Sequence, residues 1–371
     1  MNNIGLYIHI PFCLGKCGYC DFYSTGGSAA QYDEYTNALL KRISFSEERF
    51  SRCADTVYIG GGTPTLLGGK RLSNILHCAK RSFSVPSDAE ITVEANPADD
   101  LYDTLASVAA AGVNRLSVGV QSSNEVELGL LGRRHRNGDV LRTVREAREV
   151  GIGNISLDLM LGIPSQTTKS LGESIDFLLS LSPEHISAYM LKIEPGTPFF
   201  DRRDSLDIPD PDRVADMYLY AADRLECAGY RQYEISNFSK PGYESRHNLK
   251  YWRGDEYLGI GPAAHSFVDG KRFFYPRSTQ DFIDGKDPVP DGAGGSAEEY
   301  IMLSLRLSEG INLSELKKKH GVLPTERYIE LVKRLIGCKY AKETADGFSL
   351  TPRGMLLQSE IVIEILEALS L

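Results

Sequence analysis

The chain has 371 residues, 42% of them hydrophobic and 25% charged, with a formal net charge of −9. That composition supplies ample core material and excludes an intrinsically disordered chain. The acidic balance argues against a general nucleic-acid binder, which would present a basic surface, and no apolar run reaches the roughly 18–20 residues that a membrane helix needs.

The N-terminus runs straight into a strand-like pattern, without the charged and apolar regions of a signal peptide. Residues 4–12, 56–60, 90–95, 115–120, 155–161 and 185–193 are apolar and β-branched and read as strands. Helical patterns lie between them. One covers 32–50. The next opens at Asn96-Pro97, with Pro97 at the first helical position and Asp99 and Asp100 in the first turn, and closes at Gly112. Ser122 and Glu125 form a capping-box pattern. Residues 139–150 place Val140, Val144, Ala147 and Val150 on one face. Six strand–helix units imply a parallel sheet with right-handed crossovers, either open or curled into a partial barrel. Ligand groups then gather at the carboxyl ends of the strands. The run "GKDPVPDGAGGSAEE" (285–299) reads as a linker, which divides the chain into a core at 1–285 and a C-terminal unit at 286–371. In that unit, helical patterns at 296–307, 313–320, 325–336 and 352–369 and a short "GFSLT" strand suit a small winged-helix-like domain.

Four of the seven cysteines (Cys53, Cys78, Cys227, Cys338) are scattered, so there is no disulfide framework, and a reducing, cytoplasmic compartment is expected. The other three, Cys13, Cys17 and Cys20, follow the first strand as C-x3-C-x2-C in "HIPFCLGKCGYC". Structural zinc takes four protein ligands and usually a second cysteine pair, which is absent. A disulfide would leave one cysteine over. An iron–sulfur cubane needs one ligand per iron, so three thiolates leave one iron open to a small molecule. In this signature the sequence resembles the radical S-adenosylmethionine (SAM) superfamily. The resemblance implies a partial (βα)6 TIM-like barrel and a [4Fe–4S] cluster on Cys13, Cys17 and Cys20. It also implies SAM bound to the open iron through its amino nitrogen and carboxylate. Electron transfer to the sulfonium gives a 5′-deoxyadenosyl radical in that superfamily.

The later strand ends carry polar groups. "GGGTPT" (60–65) closes the second strand, and bare glycines let a backbone approach a ligand. Glu94, Gln121 and Asp158 stand at or near successive strand ends, and Arg133 follows in "LGRRH". Acids and amides accept ribose hydroxyls, and a guanidinium pairs with a carboxylate. These positions narrow the resemblance to the oxygen-independent coproporphyrinogen III oxidase-like family. They imply SAM contacts for Gly61, Gly62, Thr63, Glu94, Gln121, Arg133 and Asp158, with Tyr7 and Tyr19 nearby on the cluster and SAM sides. "GIGPAA" (259–264) matches a dinucleotide fingerprint, but its proline and the strand–turn–strand pattern that follows argue against one.

Two features resemble the heme-chaperone branch of that family more than its decarboxylases. Phe22 stands two positions after Cys20, where the oxidases carry a cysteine, and the first strand begins at about residue 4, without their extension. "RHNLKYW" fits the branch's H-N-x-x-Y-W element with His247, Asn248, Tyr251 and Trp252. Imidazole is a heme ligand, aromatics can cover a porphyrin, and Arg246 or Arg253 could meet its propionates. His265 is a second candidate ligand. The resemblance implies heme delivery to acceptor hemoproteins, respiratory and membrane-associated ones included. It implies no nucleic-acid partner, and a monomer or cofactor-dependent homodimer. Two enzymatic alternatives stay open on the residues. One is SAM-dependent oxidative decarboxylation of coproporphyrinogen III, with His9 on the same strand face as Tyr7. The other is radical SAM chemistry on another tetrapyrrole.

Overall fold

The computed structural model of the chain describes residues 3–50, 52–97 and 100–371. Six strands, β1 (Ile4–Ile10), β2 (Ala54–Gly61), β3 (Glu90–Ala95), β4 (Arg115–Gln121), β5 (Asn154–Leu161) and β6 (His185–Met190), pair in chain order, each parallel to the next. Consecutive order is the winding of a (βα) barrel, whereas a doubly wound sheet reverses at its middle. Six shorter strands extend it: β7 (Arg231–Glu234), β8 (Asn237–Ser239), β9 (Tyr257–Ile260), β10 (His265–Val268), β11 (Lys271–Phe274) and β12 (Val289–Ala293). The order is β12-β11-β10-β9-β1-β2-β3-β4-β5-β6-β8-β7. Its two ends do not pair, so the barrel is partial. β9 is a further parallel strand beside β1, which the glycine-rich "LGIG" run conceals in the sequence.

Along each central strand the side chains alternate between two environments. Leu6, Ile8, Val57, Ile59, Val93, Leu116, Val118, Leu157 and Ile186 belong to the core under the helices. The intervening Tyr7, His9, Tyr58, Glu94, Arg115, Ser117 and Asp158 face the barrel interior. Register keeps them level, with Tyr7 opposite Tyr58 and Glu94 opposite Ser117. Parallel sheets covered on both faces usually read as continuous apolar runs. Here the inner face is polar, which suits a ligand chamber.

Several local expectations shift. The helix expected from Pro97 runs from Tyr102 to Ala110, with Asp100 before it at φ +63°; Asp99 lies outside the described residues. Helix Glu125–Leu131 is capped by Asn124, whose side chain accepts from the Val126 and Glu127 amides. Ser122 instead donates to the Glu127 carboxylate at 2.6 Å. The stretch expected as a linker contains β12, which continues the large sheet. The separate C-terminal core therefore begins after it, with helix Ala297–Ser304. There Leu316, Tyr328, Phe348 and Ile365 pack between helices and a three-stranded antiparallel sheet. Among the described residues no helix is long and apolar enough to cross a membrane.

Candidate functional site

The three site cysteines lie on the loop that leaves β1. Its ends are clasped together: Cys13 N donates to Thr25 O at 2.9 Å, and Thr25 N to Pro11 O at 2.7 Å. His9 fastens it from below. Its Nε2 lies 3.0 Å from Tyr23 O and its Nδ1 3.0 Å from the Tyr7 hydroxyl. Burial pushes the His9 imidazole down to about 4, so the ring is neutral and the network assigns its tautomer: Nε2–H donates and Nδ1 accepts. A Cβ at Gly18 would lie 2.5 Å from the Phe199 ring, so only glycine fits there. Cys13, Cys17 and Cys20 are half-buried and free. Cys13 Sγ lies 3.5 Å from Thr63 Oγ1, and Arg133 Nη1 lies 3.8 Å from Cys17 Sγ. Burial pushes the Cys20 thiol up, and the neighbouring Cys17 and Cys13 add to the shift. Thiolates crowded in this way favour a cationic centre among them.

The glycine run is demanded first by β1 itself. Gly62 N donates to Ile10 O at 2.8 Å and Thr63 N to Phe12 O at 2.7 Å, continuing the ladder past the strand ends. A Cβ on Gly61, at φ +114°, would lie 2.5 Å from His9 Cε1, and one on Gly62 2.5 Å from Phe12 O. Gly61 N donates to Glu94 Oε2 at 3.0 Å, and the Tyr58 hydroxyl to Oε1 at 2.7 Å. Burial raises the Glu94 pKa against these two hydrogen bonds. It pushes Asp158 up to about 7, opposed by a hydrogen bond from Ser187 and reinforced by the charge of Glu94. Gln121 ends β4 at φ +69°, just past a register irregularity, and its Nε2 lies beside Gly119, where a Cβ would come within 3.1 Å of it. Arg133 also donates to Gly119 O, and its buried Nε has no partner among the described residues. Tyr19 packs edge-on to Phe199. Burial raises its phenol, and the fields of Arg133, Cys17 and Cys20 all reach it. Cys13 with Thr63, Cys17 with Arg133, and Gly61 with Glu94 thus stand against one another.

Sequence reading missed several neighbours. Asn96 Nδ2 donates to Thr63 Oγ1 at 2.8 Å. Arg115, 1% exposed, sits in the barrel with its Nε unpartnered among the described residues. Both Arg115 and Tyr58 occupy inward positions of a strand, and following that alternation beyond the motifs would have flagged them.

The expected heme segment is a helix, Arg246–Arg253, capped by Ser245 and closed by Gly254 at φ +67°. His247 is 1% exposed. Its Nδ1 lies 2.8 Å from Thr56 Oγ1, its Nε2 2.8 Å from the Tyr251 hydroxyl, and its ring stacks on Tyr58. Both ring nitrogens are engaged, and burial pushes the imidazole down to about 3. In this structure neither ring nitrogen of His247 is open to iron. Trp252 sits about 100° further round the helix than Tyr251, under the guanidinium of Arg306 at 4.1 Å, and the half-buried Asn248 lies one turn before it on that second face. The four residues do not form one porphyrin face. Arg246 donates to Asp88 O and Arg253 pairs with Glu309. Of the expected set, Tyr251 reaches a cavity of about 450 Å³ beside the cysteine loop, whose walls include Tyr7, His9, Phe22, Tyr257 and His265.

The radical SAM superfamily profile matches residues 7–178, and that of the HemN C-terminal domain matches 296–357. A relative, heme chaperone HemW of Bacillus subtilis, is 37% identical over 367 residues, covering 96% of this chain and 97% of its own length. The chain belongs to the HemW family. Heme chaperone HemW of Escherichia coli is 36% identical over 372 residues, 97% of either chain. A mouse relative, radical S-adenosyl methionine domain-containing protein 1, mitochondrial, is 38% identical over 312 residues, 82% of this chain and 65% of its own. The coproporphyrinogen III oxidase HemN of Escherichia coli superimposes with a TM-score of 0.83 over 98% of this chain and 90% of its own. Its 23% identity carries the fold alone. HemW membership and the radical SAM match account for the C-x3-C-x2-C loop and the strand order together.

Proposed function

We propose that this protein is a heme chaperone that holds a [4Fe–4S] cluster with exchangeable SAM, binds heme and passes it to acceptor hemoproteins. The observation that carries the reading is the identity, over nearly the whole chain, to relatives named heme chaperone HemW. Phe22, two positions after Cys20 and 69% exposed, supports the chaperone over the decarboxylase. Free cysteines suit a reducing cytoplasm.

The donor set fits the cluster. Among the described residues no three His, Cys, Asp or Glu side chains converge on one ion position, whereas a cubane ligates each thiolate through a different iron. Cys13, Cys17 and Cys20 would hold it, and cluster and SAM together supply one-electron chemistry when bound. Asn96 donates to the Thr63 oxygen, which leaves the Thr63 hydroxyl hydrogen to be shared with Cys13. Arg133 does the same for Cys17, and its Nε–H, unpartnered among the described residues, would be available to the SAM carboxylate. Gly61, Gly62 and Thr63 line the approach of the amino group. Glu94, Asp158 and Gln121 supply acceptors for the remaining polar groups of SAM, with Tyr7 and Tyr19 as walls. Two carboxyls raised by burial suit a cationic ligand, because its arrival favours their ionised form and that charge then holds it.

The test is anaerobic reconstitution with iron and sulfide, followed by heme titration, coproporphyrinogen turnover and SAM-cleavage assays on one preparation. The expected result is a heme Soret band, a cluster EPR signal altered by SAM, and no CO₂ release from coproporphyrinogen. CO₂ release without heme binding would make the protein an oxidase instead.

A further inference from the structure

The aromatic cavity beside the cysteine loop offers something the H-N-x-x-Y-W helix does not, an imidazole nitrogen with nothing bound to it. We propose that heme is seated in this cavity, with His265 Nε2 as axial ligand and Asp291 as the nearby carboxylate that would accept the Nδ1 N–H once iron fixes the ring. This rests on the heme-chaperone reading and gives it a site.

His265 opens β10, and its ring stacks on Phe274 across the hairpin, with centroids 5.1 Å apart and planes 21° from parallel. Its side chain is 59% exposed, and Asp291 Oδ2 on β12 lies 3.9 Å from Nδ1. A metal-bound histidine commonly donates its second ring N–H to a carboxylate and turns the other nitrogen to the metal. Asp291 stands on the side that leaves Nε2 free, and among the described residues Nε2 has no hydrogen-bond partner. Partial burial lowers the imidazole pKa, against the pull of Asp291 and together with the charges of Arg272 and Arg277. The ring is therefore neutral at pH 7 and keeps its lone pair. The other cavity histidine, His9, has both nitrogens engaged, as do His247 and His185.

The chamber's lining suits an aromatic macrocycle. Its volume of about 450 Å³ falls in the range of roughly 300–1,000 Å³ typical of small-molecule sites. Tyr257, Phe274 and Tyr23 present ring surface, and the exposed Phe22 offers a face that a porphyrin would cover. One wall is the cysteine loop itself. Arg277 pairs with Asp21 at 3.0 Å, and His9 bonds Tyr23 O, so cluster loop and heme seat share their supports.

The experiment titrates hemin into the reconstituted full chain and into its His265→Ala and Asp291→Asn variants. His265 is exposed, so its loss should leave cluster content intact. The expected result for His265→Ala is loss of the histidine-ligated Soret signature and affinity weaker by about tenfold or more, the scale that even outer-shell partners of a metal ligand reach. Added imidazole should restore the band, and Asp291→Asn should weaken binding while keeping its ligand signature. Identical spectra and affinities for wild type and His265→Ala would overturn the site and leave the chaperone reading standing. A wild-type chain that takes up no heme would overturn the chaperone reading itself.

Discussion

His9 Nε2 donates to the carbonyl oxygen of Tyr23 across 3.0 Å, so strand β1 holds down the far end of the loop that bears Cys13, Cys17 and Cys20. His9→Ala removes that staple and leaves the Tyr7 hydroxyl without its acceptor, a loss of about 1–3 kcal/mol. Lys16 is exposed between Cys13 and Cys17 and makes the loop readable by trypsin. Cleavage after Lys16 should be faster in the cluster-free variant than in cluster-free wild type, and reconstitution should protect both. Equal digestion rates would remove the stapling role.

Gly62→Ala tests the closest backbone approach at the site. The new Cβ would lie 2.5 Å from Phe12 O, a backbone atom that no side-chain rotation can clear. The strand end must then shift, at about 1–3 kcal/mol, and the cysteine loop shifts with it. Lower melting temperature and lower iron content per chain are expected. Gly26→Ala, whose Cβ meets nothing within 4 Å, is the control and should change neither.

What the sequence disclosed follows from where each signal resides. The cysteine loop was legible because ligand spacing is local, and the central strands because their outward faces are continuously apolar. Glu94 was legible because it falls near a strand end, whereas Asp158 stands in the middle of β5. The environment of His247 was not. Spacing pairs it with Tyr251, but Thr56, which takes its other nitrogen, is 191 residues away. β7–β12 are strands of three to five residues, too short for a periodic signal. Asn96 read as a helix opener because its partner, the Thr63 hydroxyl, lies on another strand end.

Arg133 reaches both Cys17 Sγ and Gly119 O, and its Nε has no partner among the described residues. A charge-assisted hydrogen bond contributes about 1.5–3 kcal/mol, which corresponds to roughly 10–100-fold in affinity. Arg133→Met should therefore retain its cluster and need that much more SAM to perturb the EPR signal of the reduced cluster. An unchanged SAM dependence would remove Arg133 from the ligand set.

His135 supplies a pH test outside the positions read as cluster and SAM contacts. It is buried, with Nε2 3.1 Å from Val120 O, and burial, aided by the charge of Arg133, pushes it down to about 4. Between pH 6.5 and 4 the unfolded chain binds a proton that the folded chain refuses. Stability therefore falls as pH drops through that window, by up to about 1.4 kcal/mol per pH unit for one group. Above pH 6.5 the term is constant. His9 and His247 act with the same sign. Asp158, raised to about 7, acts with the opposite sign, its folded form binding a proton between pH 7 and 3.8 that the unfolded form does not. His135→Gln can keep a donor to Val120 O while removing one titration. Its melting temperature should fall less steeply from pH 6.5 to 4 than that of wild type, and coincident slopes would show that His135 takes up its proton in the folded state.

The junction between barrel and C-terminal unit turns on one buried charge. Glu234 accepts from Ser236 N at 2.8 Å and Asn237 Nδ2 at 2.5 Å, and pairs with Arg306 at 3.1 Å. The same guanidinium covers the ring of Trp252, the chain's one tryptophan, so indole emission reports the contact directly. Removing one partner of a buried ion pair strands the other charge and costs about 3–5 kcal/mol, whereas removing both can be nearly neutral. Arg306→Met should thus lower the melting temperature sharply and change Trp252 emission in the folded protein. Arg306→Met with Glu234→Gln should recover much of the stability and keep the altered emission, because the cation over the ring is still missing. Equal destabilisation in single and double variants would mean that packing at the junction, and not the compensated charge, holds the two units together.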